Sequence, residues 1–189
     1  MTDAVTAALL AAATAVGTQV RQVDSAAPVV IIDGRSGAGK STLAAMVCQN
    51  WEGPLPPHRI ALDDVYPGWD GLDAGARMVA LRVIRPHARG RWGSWRRWDW
   101  VRHRYARSHA VDPRRPLVVE GAGALTPAAD GCWDAAVWLD APAAARRTRA
   151  LARDGDLFAP HWEAWARQED DHIARHDPAR RASLVVDVP

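Results

Sequence analysis

Apolar residues in this chain gather in five short, nearly unbroken runs, at 29–33, 59–62, 117–120, 136–140 and 184–188. Runs of that length bounded by turn residues predict strands. Between them, at 41–51, 73–85, 143–153 and 158–176, apolar positions recur at helical spacing. The runs carry few polar residues on alternate positions, as strands covered on both faces should. Strands alternating with helices predict an α/β fold, a three-layer αβα sandwich on a five-stranded parallel sheet. A length of 189 residues fits one domain spanning 1–189. Three runs end in an acid: Asp33, Glu120 and Asp140. Ligands bind beyond the carboxyl ends of such strands, so these acids are expected on the functional rim.

Two stretches break the alternation. Residues 92–115 are rich in Arg and Trp and are read as an inserted helix and loop, within a substrate-side insertion of about 86–115. Residues 153–160 read as a polar turn between two helices, part of a candidate lid over about 146–162. Ahead of the first strand, the apolar stretch 4–17 is too short to span a bilayer and lacks the basic flank of a signal peptide. It is read as a surface helix capped by Thr2 or Asp3, with no membrane partner.

Composition excludes a mainly disordered or fibrous chain, at 48% hydrophobic and 24% charged residues. The two cysteines, Cys48 and Cys132, have no metal-ligand spacing and read as reduced thiols of a cytoplasmic protein. The net charge of +2 conceals an asymmetry: residues 77–115 hold 12 arginines against Asp99 and Asp112, and the remainder is acidic. One anion-binding face is implied. Of 24 basic residues, 23 are arginine, and the single lysine is Lys40. Usage this extreme looks like GC-rich coding, so the arginines are not each read as functional.

Lys40 sits in the sequence GRSGAGKS, where Gly34, Gly39, Lys40 and Ser41 match G-x-x-x-x-G-K-[ST] after a predicted strand and before a predicted helix. Glycines let backbone N–H groups converge on phosphate oxygens, and the helix start points its positive end at the same anion. Lys40 would reach the β/γ-phosphates, and Ser41 would place a hydroxyl on Mg2+. Chance matches at this composition number on the order of 4 in 10,000. The candidate nucleotide-binding residues are Gly34, Ser36, Gly37, Ala38, Gly39, Lys40, Ser41 and Thr42, with ATP and Mg2+ as the implied cofactors.

Four further segments carry candidate chemistry. Asp63, Asp64 and Tyr66 follow the second strand, where a carboxylate near the γ-phosphate can take a proton from an attacking hydroxyl; an Asp-rich turn is the structural alternative. Glu120, ahead of Gly-Ala-Gly, is a candidate magnesium-side acid, unless those glycines only form a turn. Trp92, Trp95 and Trp98 are spaced close to one helical face, so packing competes equally with ring binding, and aromatics beside Asp99 and His103 could hold a small ring. Arg146, Arg149 and Arg153 share a helix face suited to charge on a transferring phosphoryl group, or else to solvent.

The order GRSGAGKS, LDDVY, RRWDWVRH, VVEGAGAL and an Arg-rich helix resembles uridine kinase-type P-loop kinases, over about 29–188. The resemblance implies a P-loop NTPase fold and a kinase with Asp63 activating a hydroxyl. It implies Tyr66 beside Asp63, a nucleoside pocket lined by Trp98, Asp99, Trp100 and His103, Glu120 as the acid after the third strand, and Arg149 and Arg153 in a lid. The chain departs from the family where Trp replaces Tyr and Phe around Asp99 and where the lid ends in RDGDLFAPHWEAW. The expected function is therefore an ATP- and Mg-dependent kinase of a small hydroxylated acceptor, a nucleoside among the candidates. The rivals are a nucleotide-dependent nucleic-acid binder using the basic face, and a P-loop regulator without transfer.

Overall fold

The computed structural model describes residues 3–189. Five strands form one sheet: β1 (Val29–Gly34), β2 (His58–Ala61), β5 (Leu117–Glu120), β6 (Ala135–Asp140) and β7 (Leu184–Asp187), in the order β2-β5-β1-β6-β7 with every pair parallel. All five predicted runs are strands, to within two residues at each end. Alternate residues of β1 face opposite layers: Val29 and Ile31 join one core, Val30 and Ile32 the other. The first core lies under α3 (Leu72–Val79), α5 (Ala143–Asp154) and α6 (Trp162–His176); the second lies under α1 (Asp3–Arg21) and α2 (Lys40–Gln49). The expected three-layer α/β sandwich is therefore present. Beyond β1, the chain first builds one side of the sheet with β2 and β5, then the other with β6 and β7. The loop after β1 thus lies at the switch point, where open α/β sheets bind ligands.

Three local expectations change. The helix after Gly71 runs through α3 into a π-helical stretch at Ala80–Ile84 and ends in a short turn, α4 (Arg85–His87). The insertion is a two-stranded antiparallel hairpin, β3 (Gly93–Asp99) and β4 (Arg104–Val111), and no helix. The spacing of Trp92, Trp95 and Trp98 imitated a helix because Trp92 precedes the strand and a register shift between Arg96 and Trp98 interrupts the two-residue alternation after Trp95. The candidate lid is the end of α5 followed by two 3-10 turns, Gly155–Leu157 and Ala159–His161.

The N-terminal helix is longer than the apolar stretch predicted. At 19 residues α1 is, by length and composition, apolar enough to cross a membrane, which corrects the expectation from 4–17 alone. In this structure Val5, Leu9, Ala12, Ala13 and Val16 are buried against α2 and the sheet. Asp3 begins the helix, and the alternative cap Thr2 lies outside the described residues. Cys48 and Cys132 are both free.

Candidate functional site

The loop between β1 and α2 turns on glycines with positive φ. Gly37 has φ +80°, and a Cβ there would collide with the backbone carbonyl of Arg146. Gly39, with φ +107° and ψ 10°, is the left-handed residue that starts α2. Lys40 turns back over the loop, its Nζ donating to the Arg35 carbonyl at 3.0 Å. Residues 36–42 line a cleft of about 1230 Å3, while Gly34 lies beneath them, packed on Leu139.

The loop is braced from behind by buried acids. Asp33, 0% exposed, accepts the backbone N–H groups of Gly34 at 2.6 Å, Gly123 at 2.9 Å and Leu125 at 2.8 Å. It was expected on the functional rim; it is instead spent tying β1 to the turn after β5. Glu169 on α6, equally enclosed, accepts from Ser36 N–H at 2.7 Å and from the Trp165 indole at 3.1 Å, and pairs with Arg35 at 3.3 Å. Arg146, also buried, donates to the carbonyl of Ser36.

Across the cleft stands Asp63, in the 3-10 turn Leu62–Asp64 that follows β2. Asp63 is exposed to the open cleft, whose walls bring Lys40, Trp100 and Arg153 around it. Desolvation pushes its carboxyl above the ordinary aspartate value and Glu120 adds to the rise, while Lys40 and Arg153 oppose it. A raised carboxyl facing a lysine in a cleft marks a candidate functional centre. Asp64 faces away and pairs with Arg97 at 2.9 Å. Tyr66 is fully enclosed: its hydroxyl donates to the Ala122 carbonyl at 2.6 Å, and its ring, at the cleft wall, meets Trp165 edge-on at 4.9 Å.

Glu120, at the end of β5, holds Ser41 Oγ at 3.2 Å and Arg59 at 3.1 Å. Among the described residues no cluster of three or more His, Cys, Asp or Glu side chains is arranged to hold a metal. Magnesium does not require such a cluster: it keeps several waters and takes one or two carboxylates plus substrate phosphates. A hydroxyl and a carboxylate in contact beside the phosphate loop fit it.

The predicted substrate residues divide. His103, held at φ +47° in the hairpin turn, lines the cleft with Trp100, whose indole N–H donates to the Asp63 carbonyl at 2.9 Å. Trp98 and Asp99 do not line it. Trp98 packs edge-on against Tyr105, and the Asp99 carboxylate accepts from Val101 N–H, Arg102 N–H and the Arg102 guanidinium, closing its own turn. The lid arginines both reach the cleft. Arg149 donates to the Gly37 carbonyl at 2.9 Å and to Pro189, and its Nη2 is buried with no hydrogen-bond partner among the described residues. Arg153 forms a two-pronged pair with Asp154 at 2.8 and 2.6 Å.

Sequence reasoning missed the opposite wall. Trp69 stacks on His161 at 4.2 Å and on Phe158 at 5.6 Å, leans on Trp100 at 4.8 Å, and meets Trp165 edge-on. These rings come from the loop after Tyr66, the hairpin turn, the lid and α6. Phe158, His161 and Trp165 share helical spacing in FAPHWEAW and Trp100 was named from the sequence, but no local pattern links either to Trp69.

No protein-family model and no curated protein sequence matches the chain. Solved structures do. A candidate uridine kinase from Bacillus stearothermophilus superposes with a TM-score of 0.65 at 19% identity, covering 92% of this chain and 96% of that one. A candidate fructose transport system kinase from Silicibacter sp. TM1040 superposes with a TM-score of 0.54 at 21% identity, covering 94% and 98%. At these identities the likeness is one of architecture. The sheet order, the glycine loop at its switch point and the superposed structures together give this chain a P-loop kinase-like fold.

Proposed function

We propose that the protein transfers the γ-phosphate of ATP to a hydroxyl of a small molecule. The observation that carries this reading is the opposition, across one cleft, of a glycine-lysine phosphate loop and the Asp63 carboxylate. The triphosphate would lie along residues 36–42, with the N-terminus of α2 behind it. Lys40 would leave the Arg35 carbonyl for the phosphate oxygens. Ser41 and Glu120 would hold a magnesium ion, which when bound neutralises phosphate charge and orients the chain of oxygens. Asp63 would accept the proton of the acceptor hydroxyl, and a raised pKa makes its carboxylate a better base than a free aspartate. Arg149 and Arg153 would gather charge on the moving phosphoryl group and help exclude water. The wall of Trp69, Trp100, Phe158 and Trp165 would take the body of the acceptor; nucleosides are the first class to try. The neighbours' described activities agree with phosphoryl transfer.

The test is transfer from γ-labelled ATP across a panel of nucleosides, sugars and pantothenate-like alcohols. Acceptor-dependent product from the wild type, lost in Asp63→Asn, supports the proposal. Tight ATP binding with no product from any acceptor would favour a regulator.

A further inference from the structure

A second hollow of about 340 Å3 lies between the helix that begins with α3 and the hairpin, and shares no lining residue with the cleft. Its size is within the range of small-ligand sites, roughly 300–1,000 Å3. Arg82 and Met78 enter it from the helix, Ser94 and Arg96 from β3, and Tyr105 and Ser108 from β4. The local sequence is strongly basic, and of its arginines Arg97 on β3 is matched by Asp64 from outside the segment. Within residues 77–115 the only acids are Asp99, taken by Arg102, and Asp112, taken by Arg114. Arg82 makes no hydrogen bond or ion pair among the described residues. Arg96 is held in place by the Tyr105 ring, 5.4 Å beneath its guanidinium, and by backbone carbonyls, which orient its charge without neutralising it. Two guanidinium groups with serine hydroxyls suit a phosphate dianion, and Met78 and the Tyr105 ring supply an apolar wall.

We propose that this hollow is a binding site for a small phosphorylated molecule with an apolar or ring-shaped body, separate from the nucleotide cleft. It goes beyond the kinase reading and does not depend on it. The ligand would bear on the same hairpin that carries Trp100 to the carbonyl of Asp63, which gives the site a physical route to the cleft.

Phenyl phosphate is the probe, titrated calorimetrically into the full chain carrying Lys40→Ala, so that the phosphate loop cannot account for binding. Saturable binding is expected. Arg82→Gln and Arg96→Gln should each weaken it by about tenfold, and Arg89→Gln, an equal charge loss outside the hollow, by less than about twofold. Melting temperature should be unchanged in Arg82→Gln, since that side chain is exposed and unpaired. Absence of binding would overturn the proposal. So would equal weakening by Arg82→Gln and Arg89→Gln, which would mean a diffuse basic surface. A single-stranded oligonucleotide that outcompetes phenyl phosphate and is weakened equally by both variants would identify a nucleic-acid face instead.

Discussion

The carboxylate of Glu169 accepts the backbone N–H of Ser36 at 2.7 Å, and the same oxygen accepts the indole N–H of Trp165 at 3.1 Å. One buried oxygen on α6 therefore joins the phosphate loop to the aromatic wall. Glu169→Ala leaves the Ser36 and Trp165 donors without their acceptor, at a cost of about 2–4 kcal/mol, while Arg35 keeps Asp170 at 2.7 Å and the Ala166 carbonyl. Urea denaturation should show that loss. ATP titration of the folded fraction should show weaker binding, and Glu169→Gln, which keeps one acceptor oxygen, should lose less of both.

Asp63 should trade stability for activity. Its folded pKa lies above the unfolded value, so between the two the folded state binds more protons than the unfolded state. Stability contributed by this group therefore falls as pH rises through that window, and the penalty persists at neutral pH. Asp63→Asn removes the penalty, so its melting temperature at pH 7 should equal or exceed that of the wild type while transfer collapses. The acid limb of the wild-type rate profile should lie above the ordinary aspartate range, because the ionised carboxylate is the base. Melting curves at pH 4 and pH 7 with a kcat/KM profile would check both halves.

Gly37→Ala should disable the loop without unfolding the sheet. The new methyl group must occupy the space of the Arg146 carbonyl at a left-handed backbone angle, so the loop or the start of α5 has to move. Far-ultraviolet circular dichroism should be nearly unchanged, and nucleotide binding should be lost in a calorimetric titration.

Trp100→Phe keeps a ring in the wall but deletes the donor to the Asp63 carbonyl. A hydrogen bond of about 1 kcal/mol corresponds to roughly fivefold in rate. Steady-state kinetics should show kcat reduced by about that factor, with the KM for ATP unaltered, since Trp100 lies on the acceptor side.

The sheet was legible because doubly buried strands must be continuously apolar, and the phosphate loop because glycine, lysine and serine are required at fixed places. What misled was chemistry that only tertiary structure assigns. Asp33 reads as a rim acid, yet its position beside the glycine turn after β5 makes it a buried anchor for three backbone donors. Asp99 reads as a pocket residue, yet hairpin closure consumes its oxygens. Phe158, His161 and Trp165 are close in the chain, but Trp69 lies about 90 residues earlier and meets them only when α6 packs across the loop after Tyr66. The lone lysine gains a structural place as well: its Nζ donates to Arg35's carbonyl, and the account expects a compact ammonium to serve there where a planar guanidinium fork would not.

The most direct measurement is single-turnover transfer from γ-labelled ATP by wild type, Asp63→Asn and Lys40→Arg side by side, with the acceptor that gives most product. The account predicts labelled phosphoester from the wild type alone, with both variants folded and slower by at least about a hundredfold. A folded Lys40→Arg protein transferring at the wild-type rate would contradict it.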